Sequence, residues 1–280
     1  MIDLAVWLFV AVILLALVSL VLLLQDRFIY FPLRYSTADL REAQTLGVHQ
    51  VTFQTSQGKQ TAFFWRGEGS DLGPQVVWLL FGGNGDSALA WLGLIRAFSD
   101  PRSGYLLIDY PGYGICQGRP NPKTILENAE RALQVLLETK GWKLSGQALC
   151  VLGHSLGGAA ALQFAANHPV GKILVVSTFT TMDAMIRAQI HLPLGRLLRH
   201  RFDNIATLKA ILSQKQVPEI SIFHGQADEI IPPKMGRALA DLDPNRIKFS
   251  EIPGASHNDI FQMPLALSLQ SALFGPTLRK

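Results

Sequence analysis

The stretch ALCVLGHSLGGAAALQFAAN, residues 148–167, decides the fold. Its opening run, ALCVL, is apolar and continuous, the pattern of a short strand buried on both faces. Its closing run, LGGAAALQFAA from Leu156, is rich in small residues and reads as a helix. Only Gly153, His154 and Ser155 stand between the two. A strand-to-helix turn that tight exposes a serine side chain and needs glycine at 153 and 157, where a Cβ would clash with neighbouring backbone. Gly158, Ala159, Ala160 and Ala161 then let the helix pack close to a sheet. The G-x-S-x-G spacing alone is a weak signal; the strand before it and the helix after it give it weight.

Working outward, short apolar runs recur on both sides: VVWLLF at 76–81, YLLID at 105–109, ILVVS at 173–177, ISIFH at 220–224 and IKFSEI at 247–252. Helical patterns lie between them. The clearest is 122–140, with Pro122 in the first turn, an apolar stripe of Ile125, Ala129, Ala132, Leu133, Leu136 and Leu137, and Gly141 as terminator. Others are predicted at 87–98, 156–167, 182–189, 233–241 and 264–272. VHQVTF at 48–53 and TAFFWR at 61–66, joined through Ser56, Gln57 and Gly58, predict a leading antiparallel hairpin. The fold class is therefore α/β: eight strands in a mostly parallel sheet with helices on both faces.

An attacking Ser155 needs a base within hydrogen-bond reach and a carboxylate to orient that base. Of seven histidines, His257 lies in the turn IPGASHND after the last strand, where a loop at the sheet's carboxyl edge brings it over Ser155. His224, at the end of the preceding strand, reads as a packed structural residue, and the side chain of His154 is expected to point away from the serine. His49, His168, His191 and His200 occupy hairpin or helix-end settings with no carboxylate logic. Asp228, in FHGQADEIIP after the strand ISIFH, is the acid, with Asp183 the alternative. The chain order is then Ser155, Asp228, His257. Two backbone N–H groups must face the oxyanion. Leu156 supplies one; FGGNGDS at 81–87 supplies the other, from Asn84 or, second, from Gly85. Asp86 or Ser87 is placed to cap the helix that follows.

Of 280 residues 49% are apolar and 16% charged, and much of the excess lies in Leu4–Leu24, 21 residues with Ser19 as the sole polar member. At 1.5 Å per residue this run spans about 30 Å, the thickness of a bilayer's hydrocarbon core. It predicts one N-terminal transmembrane helix rather than a cleaved signal, since the start MID carries no Lys or Arg and no A-x-A site follows. Arg27, Arg34 and Arg41 after the span favour a cytoplasmic C-terminal domain, and Phe28, Tyr30, Phe31 and Tyr35 read as an interfacial belt. The expected organisation is an anchor and flank at 1–27, a juxtamembrane linker at 28–47 and one catalytic domain at 48–280. The net charge of +4 comes without a long Lys/Arg run, so no nucleic-acid partner is expected. Arg196, Arg199, His200 and Arg201 form the single basic cluster, read as a solvated helix face or one turned to anionic lipid. Two cysteines, Cys116 and Cys150, in unlike contexts make no disulfide framework. No C-x-x-C or H-E-x-x-H occurs, so neither metal nor cofactor is expected.

Through LLFGGNGDS, LLIDYPGYGICQGRP, VLGHSLGGAAA, FHGQADEIIP and GASHND, covering about residues 48–275, the chain resembles serine hydrolases of the α/β-hydrolase superfamily. In particular it is similar to small membrane-anchored members without a large lid. It departs from them at Gly82, where a histidine of H-G-N is usual, and at Cys116, where serine is common. The segment 178–218, where this superfamily inserts a cap, is only about 40 residues long, so the cap is small. The resemblance, with an open apolar site beside a membrane, implies hydrolysis of lipid-like or acylated esters or thioesters through an acyl-enzyme. A serine peptidase or amidase of the same fold, or a catalytically silent membrane-tethered module, are the competing expectations.

Overall fold

In the computed structural model, which describes residues 4–67, 73–97, 100–190 and 198–262, the apolar runs form one eight-stranded sheet. The strands are β1 (His49–Thr55), β2 (Gly58–Trp65), β3 (Val76–Phe81), β4 (Ser103–Ile108), β5 (Leu149–His154), β6 (Lys172–Val176), β7 (Glu219–Gly225) and β8 (Ile247–Ile252). Their order is β1-β2-β4-β3-β5-β6-β7-β8. The β1–β2 and β2–β4 pairs are antiparallel, the other five parallel. The hairpin is tighter than its three joining residues suggest: Thr55 pairs with Gly58 across a two-residue turn, and Gly58 takes φ +94°.

Successive residues of a strand point to opposite faces, and both faces are covered. Val77, Leu79 and Phe81 enter one core with Val151, Ile173 and Val175. Val76, Trp78 and Leu80 enter the other with Cys150, Leu152, Leu174 and Val176. Hence the strands read as continuous apolar runs. The first core is covered by α4 (Pro122–Lys140), α5 (Leu156–Asn167), α7 (Asn204–Leu212) and α8 (Pro233–Ala240). The second is covered by α2 (Thr37–Thr45) and α3 (Trp91–Ala97). The bounds of α4 follow its capping residues: the Asn121 side chain accepts the N–H groups of Lys123 and Thr124, Pro122 opens the helix, and Gly141 closes it at φ +67°.

The structure refines several expectations. The helix over 87–98 begins instead as a 3₁₀ turn, Ala88–Ala90, and Ser87 makes no side-chain cap. Residues 28–47, expected as a juxtamembrane linker, include α2, which forms behind a capping box of Ser36 and Asp39. Of the expected interfacial belt, Tyr30 is buried against His200 and Tyr35 packs edge-on to Phe63 while its hydroxyl accepts the Leu89 N–H, whereas Phe31 is exposed. Within 178–218, residues 204–212 form α7 behind an Asp203 cap, one of the connecting helices that keep any cap small. The helix expected at 264–272, His191 and Arg196 lie outside the described residues.

The apolar N-terminal run belongs to α1 (Leu4–Ile29), 26 residues and about 39 Å long at 1.5 Å per residue. Trp7, Phe9, Leu15, Leu17 and Leu20 on it are exposed. Among the described residues no helix counts as long and apolar enough to cross a membrane. Within α1 the side chains of Leu14, Val18, Val21, Leu23 and Phe28 lie outside that set.

Candidate active site

Strands β3, β5, β7 and β8 run parallel, so the loops after them meet at one edge of the sheet. Those loops carry Asn84, Ser155, Asp228 and His257, as the sequence predicts. The turn at Ser155 is strained: its φ is +55° and ψ −118°, a region costly for a residue with a Cβ. The flanking glycines admit that turn. A Cβ at Gly153 would strike the Gly157 carbonyl, and one at Gly157 would strike the carbonyl oxygens of Phe81 and Gly82. A Cβ at Gly158 would come 2.7 Å from the Thr178 side chain. The elbow is held from behind, with the Ser155 N–H donating to Val176 O at 2.9 Å and the Thr178 hydroxyl donating to Ser155 O at 2.9 Å.

His257 and Asp228 meet because their loops are zipped together. The N–H groups of Gln226 and Ala227 donate to Ile252 O and Ala255 O, each at 2.9 Å. A side chain on Gly225 would block this approach, since its Cβ would run into Ala255 O. Three residues beyond Gly225, Asp228 Oδ2 lies 2.8 Å from His257 Nδ1 and 3.2 Å from His224 Nε2. Asp228 Oδ1 accepts the N–H groups of Ile230 and Ile231 at 3.0 and 2.7 Å. Burial pushes this carboxyl up, but the hydrogen bonds from His224, His257 and Ile231 outweigh it and hold the acid well below the usual carboxylate range. It is an ionised acceptor that fixes the proton of His257 on Nδ1 and leaves Nε2 as the basic nitrogen. Asp183, the alternative acid, pairs instead with Arg187 at 3.0 Å on α6 (Met182–Ile190).

Ser155 and His257 line one cavity of about 1080 Å³. Among the described residues no hydrogen bond closes between Ser155 Oγ and His257, a common condition of resting sites that tighten around substrate. The cavity wall is mainly apolar, with Phe179, Met182, Met185, Ile186, Leu198 and Ile231 prominent.

Of the two oxyanion donors, Leu156 occupies the first position of α5, where no carbonyl four residues back takes its N–H. In the β3 loop, the Gly83 N–H is drawn to the Asp86 carboxylate and the Gly85 N–H to the Tyr113 hydroxyl. Asn84 and Gly85 both line the cavity beside Ser155, so Asn84 stays the first candidate for the second donor and Gly85 the next. The missing histidine at Gly82 is replaced by other bracing. Tyr110 donates to Gly82 O at 2.6 Å, and Asn84 Oδ1 accepts from the Tyr113 hydroxyl and the Phe31 N–H, both at 2.9 Å.

Sequence reasoning missed two histidine roles. The His154 ring lies 4.8 Å from that of His257 and edge-on to Phe261. Its Nε2 donates to His257 O at 3.1 Å. Burial, and then the neighbouring His257, lower its pKa to about 3, so it is a neutral brace. His168, expected to lack a carboxylate, lies 2.7 Å from Glu130 at a distance from the site. Adjacency of His154 to Ser155 was the available signal; that its ring braces the base required the fold. Cys116 and Cys150 are free and buried, and burial pushes both thiols up to about 12. Among the described residues no cluster of metal-ligating side chains occurs.

The fold agrees with comparison to known proteins. Residues 78–216 match the Alpha/beta hydrolase family, and the chain is similar to α/β hydrolases. An uncharacterised protein of Mycobacterium tuberculosis is 26% identical over 245 residues, covering 84% of this chain and 81% of that one. Protein bem46 of Schizosaccharomyces pombe is 29% identical over 158 residues, 55% of this chain and 51% of its own. The esterase domain of a Rhodothermus marinus protein superposes with a TM-score of 0.57 at 18% identity, over 80% of this chain and 96% of that domain. The likeness to that domain is one of fold.

Proposed function

We propose that the protein is a membrane-anchored serine hydrolase cleaving carboxylic esters or thioesters of lipid-like or acylated substrates. The observation that carries this reading is the buried Asp228–His257 pair at 2.8 Å, whose imidazole lines an apolar cavity that also holds Ser155 on a strained elbow. Ser155 Oγ attacks the acyl carbon while its proton passes to His257 Nε2. The tetrahedral oxyanion accepts hydrogen bonds from the N–H groups of Leu156 and Asn84. As the acyl–oxygen or acyl–sulfur bond breaks, the leaving alcohol or thiol takes the proton from His257. Water then gives a proton to His257 and its oxygen to the acyl carbon, the acid departs, and Ser155 regains its proton. No metal or cofactor enters these steps.

The anchor is α1. An unbroken apolar run of bilayer length, many of whose described side chains are exposed, loses little by entering hydrocarbon and much by facing water. Arg27, Arg34 and Arg41 set the catalytic domain on the cytoplasmic side.

The test is covalent labelling of the full-length protein in membranes with a fluorophosphonate probe, followed by turnover of 4-nitrophenyl esters, an acyl thioester and the matching anilide. Labelling and ester or thioester turnover that vanish in Ser155→Ala are expected. Absence of labelling, or turnover indifferent to that substitution, defeats the reading; faster cleavage of the anilide points to an amidase.

A further inference from the structure

Part of the cavity wall comes from the N-terminal helix. Gln25, Ile29 and Phe31 line it together with Ser155 and His257. This end of α1 is fixed on two sides. The Gln25 side chain, on a residue only 4% exposed, accepts the Arg199 N–H at 2.7 Å. The Phe31 N–H donates to Asn84 Oδ1 at 2.9 Å and to the Tyr113 hydroxyl at 3.1 Å. Ile29 is buried in the same core as Met182 and Leu198. Earlier on the helix, Trp7, Phe9, Leu15 and Leu17 are more than half exposed. One helix thus offers apolar surface to its surroundings along its early turns and to the reacting serine at its last.

We propose that the last turn of α1 is the acyl-binding wall of the site, and that the substrate is a long-chain ester of a bilayer lipid whose acyl chain enters alongside α1. The chain lies with Ile29 on one side and Met185 and Ile186 of α6 on the other, and its carbonyl reaches Ser155. This rests on the serine hydrolase reading and adds to it a substrate class, a path and a selecting residue. The cavity volume of about 1080 Å³ lies just above the roughly 300–1,000 Å³ usual for small-molecule sites. An acetyl group would leave most of it empty. The bilayer is the favoured source because the helix that forms the wall has its exposed apolar face suited to lipid tails, so a chain moving along it exchanges one hydrocarbon surface for another. An ester drawn from water gains about fourfold in kcat/KM for each methylene that the cavity shelters; one drawn from lipid gains much less per methylene, because its chain is already out of water.

The experiment uses the full chain in phosphatidylcholine vesicles, with 4-nitrophenyl butyrate and laurate and vesicle-borne 1-palmitoylglycerol. Fluorophosphonate labelling is followed in every sample. Wild type is expected to prefer laurate to butyrate and to hydrolyse the palmitoyl ester. Ile29→Asp, which sets a charge in the wall, is expected to lower the laurate-to-butyrate ratio of kcat/KM at least tenfold while the probe still labels Ser155. Should that variant lose labelling, Ile29→Ala decides, with the same ratio expected to fall at least threefold. A ratio unchanged in an Ile29 variant that still labels overturns the proposal and leaves the hydrolase reading standing. Failure of the wild type to label overturns both. Cleavage of a palmitoyl-peptide thioester without vesicles, faster than that of the vesicle-borne lipid, overturns the bilayer source.

Discussion

Replacing Asp228 by asparagine tests the site with the fewest atoms changed, and the structure dictates the outcome. Oδ1 receives two main-chain N–H groups, from Ile230 and Ile231, so the amide oxygen of the variant must occupy that position. The amide nitrogen is left where Oδ2 now accepts from His257 Nδ1 at 2.8 Å and His224 Nε2 at 3.2 Å. Two donors then face each other across the first of those contacts. His257 escapes by moving its proton to Nε2, which removes the lone pair that must take the Ser155 proton. Where an equivalent tautomer error has been made in a serine protease the loss in kcat is about 10⁴-fold, or roughly 5.5 kcal/mol of transition-state stabilisation. The same loss is expected here in the second-order rate of fluorophosphonate labelling, measured by in-gel fluorescence. His224→Gln is the companion variant: its amide N–H is able to keep the bond to Ile231 O, and labelling should fall less than tenfold. An Asp228→Asn protein that labels within tenfold of wild type would refute the claim that this carboxylate sets the state of the base.

Three further outcomes follow from particular contacts. Tyr113→Phe removes one of the donors to Asn84 Oδ1, a bond worth about 1 kcal/mol, and should lower kcat about fivefold on any turned-over ester with little change in KM. Burial of Asp109 raises its pKa to about 6 despite the Ala88 N–H and the Tyr35 hydroxyl, above the roughly 3.9 of an unfolded aspartate. Its contribution is therefore complete below about pH 4 and lost as pH rises through 6, by on the order of 3 kcal/mol; melting temperatures at pH 5 and 8 should differ less in Asp109→Asn than in wild type. Gly157→Ala places a Cβ against the Phe81 and Gly82 carbonyls and should destabilise by more than about 3 kcal/mol, seen as lost soluble expression or a much lower unfolding midpoint in urea.

Much of this architecture was legible because it rests on local chemistry. Strands buried on both faces announce themselves as continuous apolar runs, and α4 is bounded by Asn121, Pro122 and Gly141, whose backbone preferences are intrinsic. The elbow was legible because the need for glycine at 153 and 157 is steric and short-range. What escaped was set by distant partners. Tyr30 and Tyr35 look like interfacial aromatics when only their flanking arginines are considered; burial against His200 and Phe63 comes from elements more than 25 residues away. The helix α2 carries a weak pattern, and its capping box of Ser36 and Asp39 was the local signal that could have revealed it.

The choice among histidines shows where sequence reasoning must give way to hydrogen-bond accounting. His154, His224 and His257 converge near the serine, and proximity alone does not rank them. His224 shares its Nε2 proton between Ile231 O and Asp228 Oδ2, and its Nδ1 faces Gly236. His154 spends its Nε2 proton on His257 O, and burial keeps the ring neutral. Each therefore donates through Nε2 and holds its lone pair on Nδ1, and in both that nitrogen is buried away from the cavity surface. His257 alone of the three has its Nδ1 on a carboxylate and an Nε2 with no partner among the described residues. The other two imidazoles earn their burial by fixing the acid and the loop of the third. On that account His154→Phe, which retains the ring packing against Phe261 but not the bond to His257 O, should slow labelling of Ser155 several-fold without abolishing it, whereas His257→Phe should abolish it; equal effects of the two would remove the distinction between brace and base.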